Sequence, residues 1–199
     1  MMIQMLTENP LNYFRLIVIT IASICLHELA HGIVAISQGD NTPIETGHMK
    51  LDPIVLMGAE SIVVLCLFGI AWGAMPVNPN KFRSRKWGDL IVSAAGPGAN
   101  AILGLISVGL LKASEYHQFL SEDFFFLAAS VNFNLFLFNC LPIPPLDGFY
   151  IFSKFFPGLR KYKNTNFGLV ALTLLMFCGI GSMLSVASTS IVASTLSRI

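Results

Sequence analysis

The stretch that decides the fold is Leu16–Ile36, LIVITIASICLHELAHGIVAI, an apolar run that is interrupted near its middle by the motif HELAH at residues 27–31. About 20 apolar residues are enough for a helix to span about 30 Å of hydrocarbon, so the stretch predicts a membrane-spanning helix. An acidic side chain at the centre of such a helix costs roughly 2.5–3.5 kcal/mol, and intramembrane charges usually face the protein interior. We therefore expect the motif to be functional, and not a solvated helix face.

The motif has the form H-E-x-x-H. On a helix, residues i and i+4 share a face, so the imidazoles of His27 and His31 can bind one metal ion. Glu28 lies on the flank of that face, where it can serve as general base toward water and then as acid toward a leaving amine. Neutral imidazoles suit Zn²⁺, and a catalytic zinc site uses three protein ligands with an open fourth position. One ligand must therefore come from elsewhere in the chain.

Asp147 is the candidate for this third ligand. It lies in the run NCLPIPPLDG, residues 139–148, whose prolines prevent a regular helix after Leu141. Irregular backbone at membrane depth is tolerated only where it is buried in protein or lines a wet cavity. Taken alone, Pro-Leu-Asp-Gly is better explained as an ordinary turn. Because the intramembrane H-E-x-x-H motif still lacks one ligand, we expect Asp147 to bind the metal.

The composition agrees with a membrane protein. The 199 residues are 54% hydrophobic and 12% charged, about half of the charged fraction of a soluble domain. The net charge of +1 argues against a partner that is a nucleic acid. Five apolar stretches predict an all-α polytopic membrane protein with four to five transmembrane helices. The stretches are residues 16–36, 54–75, 90–111, 124–141 and 167–192.

The basic residues of the short loops indicate the orientation in the membrane. The basic loops before the third stretch and after the fourth are expected to be cytoplasmic, which puts Asp147 on that side. Because His31 and Asp147 must reach one ion, the C-terminal end of the first stretch is expected on the same side. The first and fourth stretches must then be parallel, whereas four alternating crossings would make them antiparallel. We therefore expect the second stretch to re-enter the membrane, with a re-entrant or extended segment near residues 54–79. The alternative is five plain crossings, with the proline-rich run folding Asp147 back to depth.

HELAH in an apolar helix together with NCLPIPPLDG resembles the site-2 protease family of intramembrane zinc metalloproteases. AGPGAN at residues 95–100 and MPVNP at residues 75–79 agree with this resemblance, which covers roughly residues 20–150. It implies one Zn²⁺ per chain, bound by His27, His31 and Asp147, with Glu28 as the general base.

The resemblance also implies roles for two asparagines. Asn139, eight residues before Asp147, matches a residue that handles substrate near the active site. Asn100 matches the last position of the G-P-x-x-N motif, where a hydrogen bond between helices is at least as good an explanation as a direct role.

The expected protein is a single membrane-embedded metalloprotease domain over residues 1–199, with its core at 14–150 and a C-terminal accessory helix at 167–192. It is expected to be a multi-pass protein of the plasma or inner membrane of a prokaryote. Its expected partners are the lipid bilayer and transmembrane protein substrates, cleaved in regulated intramembrane proteolysis or in membrane-protein turnover. The alternative is a non-catalytic membrane metal-binding or scaffold protein of the same fold, which the intact general base disfavours.

Overall fold

The computed structural model describes residues 2–115, 117, 121–162, 170–171, 174 and 178–197. Within these ranges the protein is helical and contains no β-strand, so the expected all-α class is confirmed there. The α-helices are α1 (Met2–Glu8), α2 (Pro10–Ser37), α3 (Thr42–Glu45), α4 (Pro53–Phe68), α5 (Gly88–Ser114), α6 (Glu122–Asn139), α7 (Asp147–Phe155) and α8 (Ile180–Leu196). Two short 3₁₀ segments cover Pro79–Lys81 and Pro157–Tyr162.

Two of the described helices, α2 and α5, are long and apolar enough to cross a membrane. The 28 residues of α2 correspond to a length of about 42 Å. This helix begins where the Asn9 side chain accepts the backbone N–H of Asn12 and where Pro10 opens the first turn. The expected total of four to five spans stays a prediction, and the fifth predicted stretch, residues 167–192, lies only partly within the described residues.

Helices α2 and α6 run parallel to each other, and α5 lies antiparallel between them. Near the start of α2, Arg15 forms an ion pair at 3.7 Å with Asp123 in the first turn of α6. Toward the other end of α2, His27 contacts Asp147, which follows the C-terminus of α6. This parallel arrangement is the one that the sequence requires for the first and fourth stretches to contribute ligands to one ion.

The packing of α5 against α6 and α8 builds an apolar cluster in which Val108, Phe133 and Val192 are buried. A Cβ atom at Gly104 would lie 2.9 Å from the Phe133 ring, so the missing side chain allows α5 and α6 to approach closely. The outer face of α5 is apolar and exposed, since Ile102 is 59% exposed. An exposed apolar surface on a long helix suits contact with lipid.

The second apolar stretch forms a short helix and a return segment. Asp52 caps the first turn of α4, which bends at Gly58 and ends at Gly69. The φ of +76° at Gly69 lies in the left-handed region, which glycine adopts without steric cost. The last turn of α4 lies beside the start of α2, where the Tyr13 hydroxyl donates to the Cys66 carbonyl at 3.0 Å.

Residues 70–78 then return along α4 without regular secondary structure. The N–H of Trp72 donates to the Ser61 hydroxyl oxygen at 2.9 Å, and this hydroxyl donates to the Trp72 carbonyl at 2.7 Å. The N–H of Ala74 donates to the Leu56 carbonyl at 2.9 Å. The return segment is therefore fixed to α4 by its backbone.

The return segment ends at the C-terminal end of α2, where α4 also started. The N–H of Asn78 donates to the Asp40 carboxylate at 2.6 Å. Close by, the N–H of Arg83 donates to the Gln38 carbonyl at 2.6 Å. The loops before α4 and after the return segment thus lie together at one end of α2.

Candidate metal centre

His27 and His31 project from one face of α2 toward Asp147, the first residue of α7. The Nε2 atoms of the two histidines are 3.1 Å apart. Asp147 Oδ2 lies 3.1 Å from Nε2 of His27 and 3.3 Å from Nε2 of His31. Both imidazoles are buried, with 6% and 8% of the residue exposed. The structure therefore brings together the three residues that the sequence nominates as metal ligands.

The other ring nitrogen of each histidine is bound to a protein oxygen. His27 Nδ1 lies 2.6 Å from Asn100 Oδ1, and His31 Nδ1 lies 2.7 Å from the Val92 carbonyl. Because both oxygens are acceptors, each Nδ1 donates its proton and each Nε2 keeps its lone pair.

Two nitrogen lone pairs and a carboxylate oxygen therefore converge on one point, an arrangement that a bound cation stabilises. Tetrahedral zinc with bonds of 2.0–2.1 Å to nitrogen places neighbouring ligand atoms about 3.3 Å apart. The observed separations of 3.1 to 3.3 Å match this spacing. The donor set of His27, His31 and Asp147 thus fits Zn²⁺.

Gly96 leaves space for this centre. A Cβ atom at position 96 would lie 2.3 Å from His31 Nε2 and 2.4 Å from His27 Nε2, inside the volume where the ligand atoms meet. Any side chain there would displace an imidazole. The close approach of α5 to α2 explains the first glycine of the AGPGAN motif by the space that the site needs.

Asn100 is fully buried and connects three helices. Its Nδ2 donates to the Ser23 carbonyl of α2 at 3.4 Å and to Asn132 Oδ1 of α6 at 3.1 Å. Asn132 is itself oriented by a bond of 2.9 Å from its Nδ2 to the Ala128 carbonyl. These backbone acceptors fix the orientation of both amides, so Asn100 Oδ1 faces His27.

Glu28 lies beside the three candidate ligands and is buried, with 7% of the residue exposed. It lines a cavity of about 520 Å³ together with His27, His31 and Asp147. The return segment passes directly against it, since a Cβ atom at Gly73 would lie 2.5 Å from Glu28 Oε1. The carboxylate is thus held between the metal ligands and an irregular backbone segment.

Asn139 lies at the end of α6 and lines the same cavity. Its Nδ2 donates to the Leu135 carbonyl one turn earlier at 3.0 Å. The amide oxygen and the second amide proton are available to a molecule in the cavity. The structure therefore places Asn139 at the site, and its expected contact with substrate stays a prediction.

His48 and Glu60 lie away from this centre. The His48 ring nitrogen bonds to Thr46 at 3.0 Å in an exposed loop. Glu60 is exposed on α4. Sequence reasoning missed the Val92 carbonyl, because backbone acceptors carry no signature in a sequence. It also missed the close approach of Gly73 to Glu28. A glycine within the segment that was expected to be extended could have indicated this approach.

Two histidines and a carboxylate at ligand spacing, with a buried glutamate beside them, form the arrangement expected of a metallopeptidase centre. The model of peptidase family M50 matches residues 108–181. The chain is 33% identical over 186 residues to "Putative zinc metalloprotease YwhC" of Bacillus subtilis (strain 168), covering 87% of this chain and 85% of that protein. It belongs to peptidase family M50, the family of site-2 proteases.

Mycobacterial relatives agree with this assignment. The chain is 31% identical over 156 residues to "Putative zinc metalloprotease Rip2" of Mycolicibacterium smegmatis (strain ATCC 700084 / mc(2)155). This match covers 72% of this chain and 59% of that protein. The Mycobacterium tuberculosis (strain ATCC 25618 / H37Rv) protein of the same name is 30% identical over 155 residues, with the same coverage of 72% and 59%. No solved structure gives a significant match.

Proposed function

We propose that this protein is an intramembrane zinc metalloendopeptidase that hydrolyses peptide bonds of membrane-spanning proteins. The observation that carries the proposal is the position of Glu28, a buried carboxylate that shares a cavity with a complete set of zinc ligands. A metal site that only stores or transports an ion has no need of this group. The names of the relatives support the same activity.

The proposed chemistry follows from the donor set and its neighbours. Zinc bound by His27, His31 and Asp147 would polarise the scissile carbonyl and make a water molecule more acidic. Glu28 takes the proton of the attacking water and passes it to the nitrogen of the departing amine. Asn139 is available to hold the substrate carbonyl or the neighbouring backbone in the cavity.

The return segment at residues 70–78 is the proposed binding site for an unwound substrate. The backbone groups of Trp72 and Ala74 are engaged on the side of α4. In extended chain, neighbouring residues direct their backbone groups to opposite sides, so those of Gly73 and Met75 face the cavity. The Met75 N–H already donates to the Glu28 carboxylate, which leaves the backbone groups of Gly73 and the Met75 carbonyl for a substrate. A substrate strand can add to this edge by β-augmentation, which also exposes a peptide bond that a helix would shield.

The proposed topology is a re-entrant second stretch in a multi-pass protein of the cell membrane. Its support is the bond between the Arg83 N–H and the Gln38 carbonyl, which brings the basic loop next to the loop after α2. Five plain crossings would separate these two loops by the whole membrane. By the distribution of basic residues that side is cytoplasmic, and the metal centre is nearest to it.

The test of the proposed activity is Glu28→Gln. This variant should keep its zinc, because Glu28 is outside the ligand triad, and should lose cleavage by about 10²–10⁴-fold, the usual contribution of a general acid–base. Comparison of membrane proteomes from cells with wild-type and variant protein identifies the substrate by the fragment that disappears. The cleavage rate is then measured on that substrate.

Glu60→Gln is the matched control, because it makes the same change at an exposed glutamate of α4 outside the cavity. It should cleave at the wild-type rate. Wild-type cleavage by the zinc-loaded Glu28→Gln protein would refute the mechanism. Identical proteomes for wild-type and Glu28→Gln cells would favour the non-catalytic metal-binding or scaffold protein.

A further inference from the structure

A second cavity, of about 250 Å³, lies at the cytoplasmic end of the bundle, between the loop before α5 and the helix α7. Three basic side chains line it, those of Arg85, Lys86 and Lys154, together with the carboxylate of Asp89. Asp89 and Tyr150 also line the cavity of the metal centre, so the two cavities are neighbours. The mechanism proposed above makes no use of these basic groups.

The basic groups of this cavity are not neutralised within the described part of the chain. None of the salt bridges found there includes Arg85, Lys86 or Lys154. The Lys154 ammonium donates to the backbone carbonyl of Lys86, a neutral acceptor. With the single carboxylate of Asp89, the lining keeps an excess of two positive charges, which favours an anionic ligand.

Two further features point to an anion at a membrane surface. Helix α5 begins here, and Ser84 accepts the N–H groups of Trp87 and Gly88. The N-cap residue Trp87 makes no side-chain hydrogen bond, so the following N–H groups of the first turn have no capping side chain. Helix N-termini attract anions. The Trp87 ring is also 42% exposed and contacts the ammonium groups of Lys86 and Lys154 at 5.3 and 5.0 Å. Tryptophan at such a position is typical of the membrane–water interface.

Exposed apolar residues beside the cavity favour a lipid over a soluble ligand. Helix α7 is amphipathic, and Phe155 and the following Phe156 are each 60% exposed. Two exposed aromatic rings next to a basic cavity match the two parts of a phospholipid, since acyl chains would contact the rings while the phosphate reaches the basic groups.

We propose that this cavity binds the phosphate of an anionic phospholipid headgroup. Arg85 and Lys86 would hold the phosphate from the side of α5, and Lys154 would hold it from the last turn of α7. A bound headgroup would thereby bridge α5, which supplies the Val92 carbonyl to the metal centre, and α7, whose first residue is Asp147. Binding itself is independent of the proposed proteolysis.

The full chain in detergent provides the test, with Trp87 as the reporter. The protein has two tryptophans, so Trp72→Phe leaves Trp87 as the only source of tryptophan fluorescence. Titration with phosphatidylglycerol should give a saturable change in emission. Phosphatidylcholine should bind at least about tenfold more weakly, because its choline cancels the phosphate charge, and inorganic phosphate should require concentrations about a hundredfold higher.

Two matched double variants in the same background locate the site. Arg85→Gln with Lys86→Gln should weaken phosphatidylglycerol binding by roughly tenfold or more. Lys50→Gln with Arg83→Gln removes the same charge from exposed residues outside the cavity and should change binding by less than about twofold. Lys154→Gln should weaken binding from the other wall of the cavity, so the assignment does not depend on one variant being well folded.

The outcomes separate the possible sources of binding. An equal loss in both double variants would show diffuse attraction to anionic micelles and would overturn the proposal. Saturation by inorganic phosphate at the same concentration as phosphatidylglycerol would show a site for a soluble phosphate and would overturn the lipid assignment. A linear response to phosphatidylglycerol without saturation would show that no site exists.

Discussion

The Asn100 amide oxygen lies 2.6 Å from Nδ1 of His27, and this contact joins the buried hydrogen-bond network of three helices to the candidate metal centre. The amide is fixed by its bonds to Ser23 and Asn132, so its oxygen accepts a hydrogen bond from the imidazole N–H. The Nε2 lone pair of His27 is thereby directed at the metal position. Asn100 is therefore a positioning residue for the His27 imidazole.

Asn100→Ala should therefore lower zinc affinity by about 10–100-fold, the usual cost of losing a group that orients a metal ligand. The measurement is competition for zinc with a chelator of known affinity. Asn132→Ala is the comparison, because it removes one of the two bonds that fix the Asn100 amide but keeps the Asn100–His27 contact, so it should lower zinc affinity by less. Equal losses for the two variants would show that Asn100 acts only through helix packing.

Asp147→Ala should lower the zinc bound per chain, because two histidines alone leave the ion without its third protein ligand. Zinc is measured by elemental analysis of the purified protein. Asp89→Ala removes a carboxylate that lines the same cavity but stands outside the ligand triad, so it should retain zinc. Stoichiometric zinc in the Asp147→Ala protein would contradict the assignment of the third ligand.

Those parts of the site that depend on side-chain chemistry could be predicted from the sequence. His27 and His31 share a helix face by spacing alone, and an intramembrane motif that lacks one ligand made Asp147 the candidate. The parallel course of the first and fourth stretches could be predicted because the ligands that they supply must bind one ion. Each of these inferences uses a charge or a helical period, which the amino-acid sequence contains directly.

The parts that depend on backbone groups could not be predicted in this way. Every residue has a carbonyl, so nothing singles out Val92 as the acceptor for His31 before α5 is placed beside α2. The same holds for the N–H of Asn78, which receives its partner only when the return segment reaches Asp40. The glycines at 73 and 96 were visible in the sequence, but their purpose depends on which atoms would meet a Cβ.

Labelling of a single cysteine at position 38 tests the membrane topology. In a chain whose four native cysteines are replaced, Gln38→Cys should react with an impermeant maleimide only after the cytoplasmic side is opened. Glu122→Cys, exposed at the start of α6 at the opposite end of the bundle, is the control and should react in intact cells. Labelling of position 38 from outside intact cells would establish five plain crossings and exclude the re-entrant stretch.

Asp40 holds the return segment that passes Glu28, and it is fully buried. One carboxylate oxygen accepts the N–H of Asn78 at 2.6 Å, and the other accepts the N–H and hydroxyl of Thr42 at 3.0 and 2.5 Å. Burial raises the pKa of the Asp40 carboxyl, but these hydrogen bonds and the nearby Lys81 lower it by more, so the pKa lies below its ordinary value of 3.8. The ionised form is therefore the one that stabilises the fold.

Asp40→Asn should lower the free energy of unfolding by about 1–3 kcal/mol at neutral pH, because the new amide presents a donor to one of these N–H or O–H donors. Since the pKa in the folded state is depressed, the wild-type advantage is complete above the unfolded pKa and is lost as pH falls through the folded pKa. Unfolding of the detergent-solubilised proteins should thus show a constant difference above the pKa of the unfolded carboxyl and a shrinking one as the pH falls below it. Asp52→Asn is the matched control, because asparagine caps a helix as well as aspartate does, so stability should change by less than about 0.5 kcal/mol. A difference for Asp40→Asn that stays constant into acid would show that its carboxylate charge does not hold the return segment.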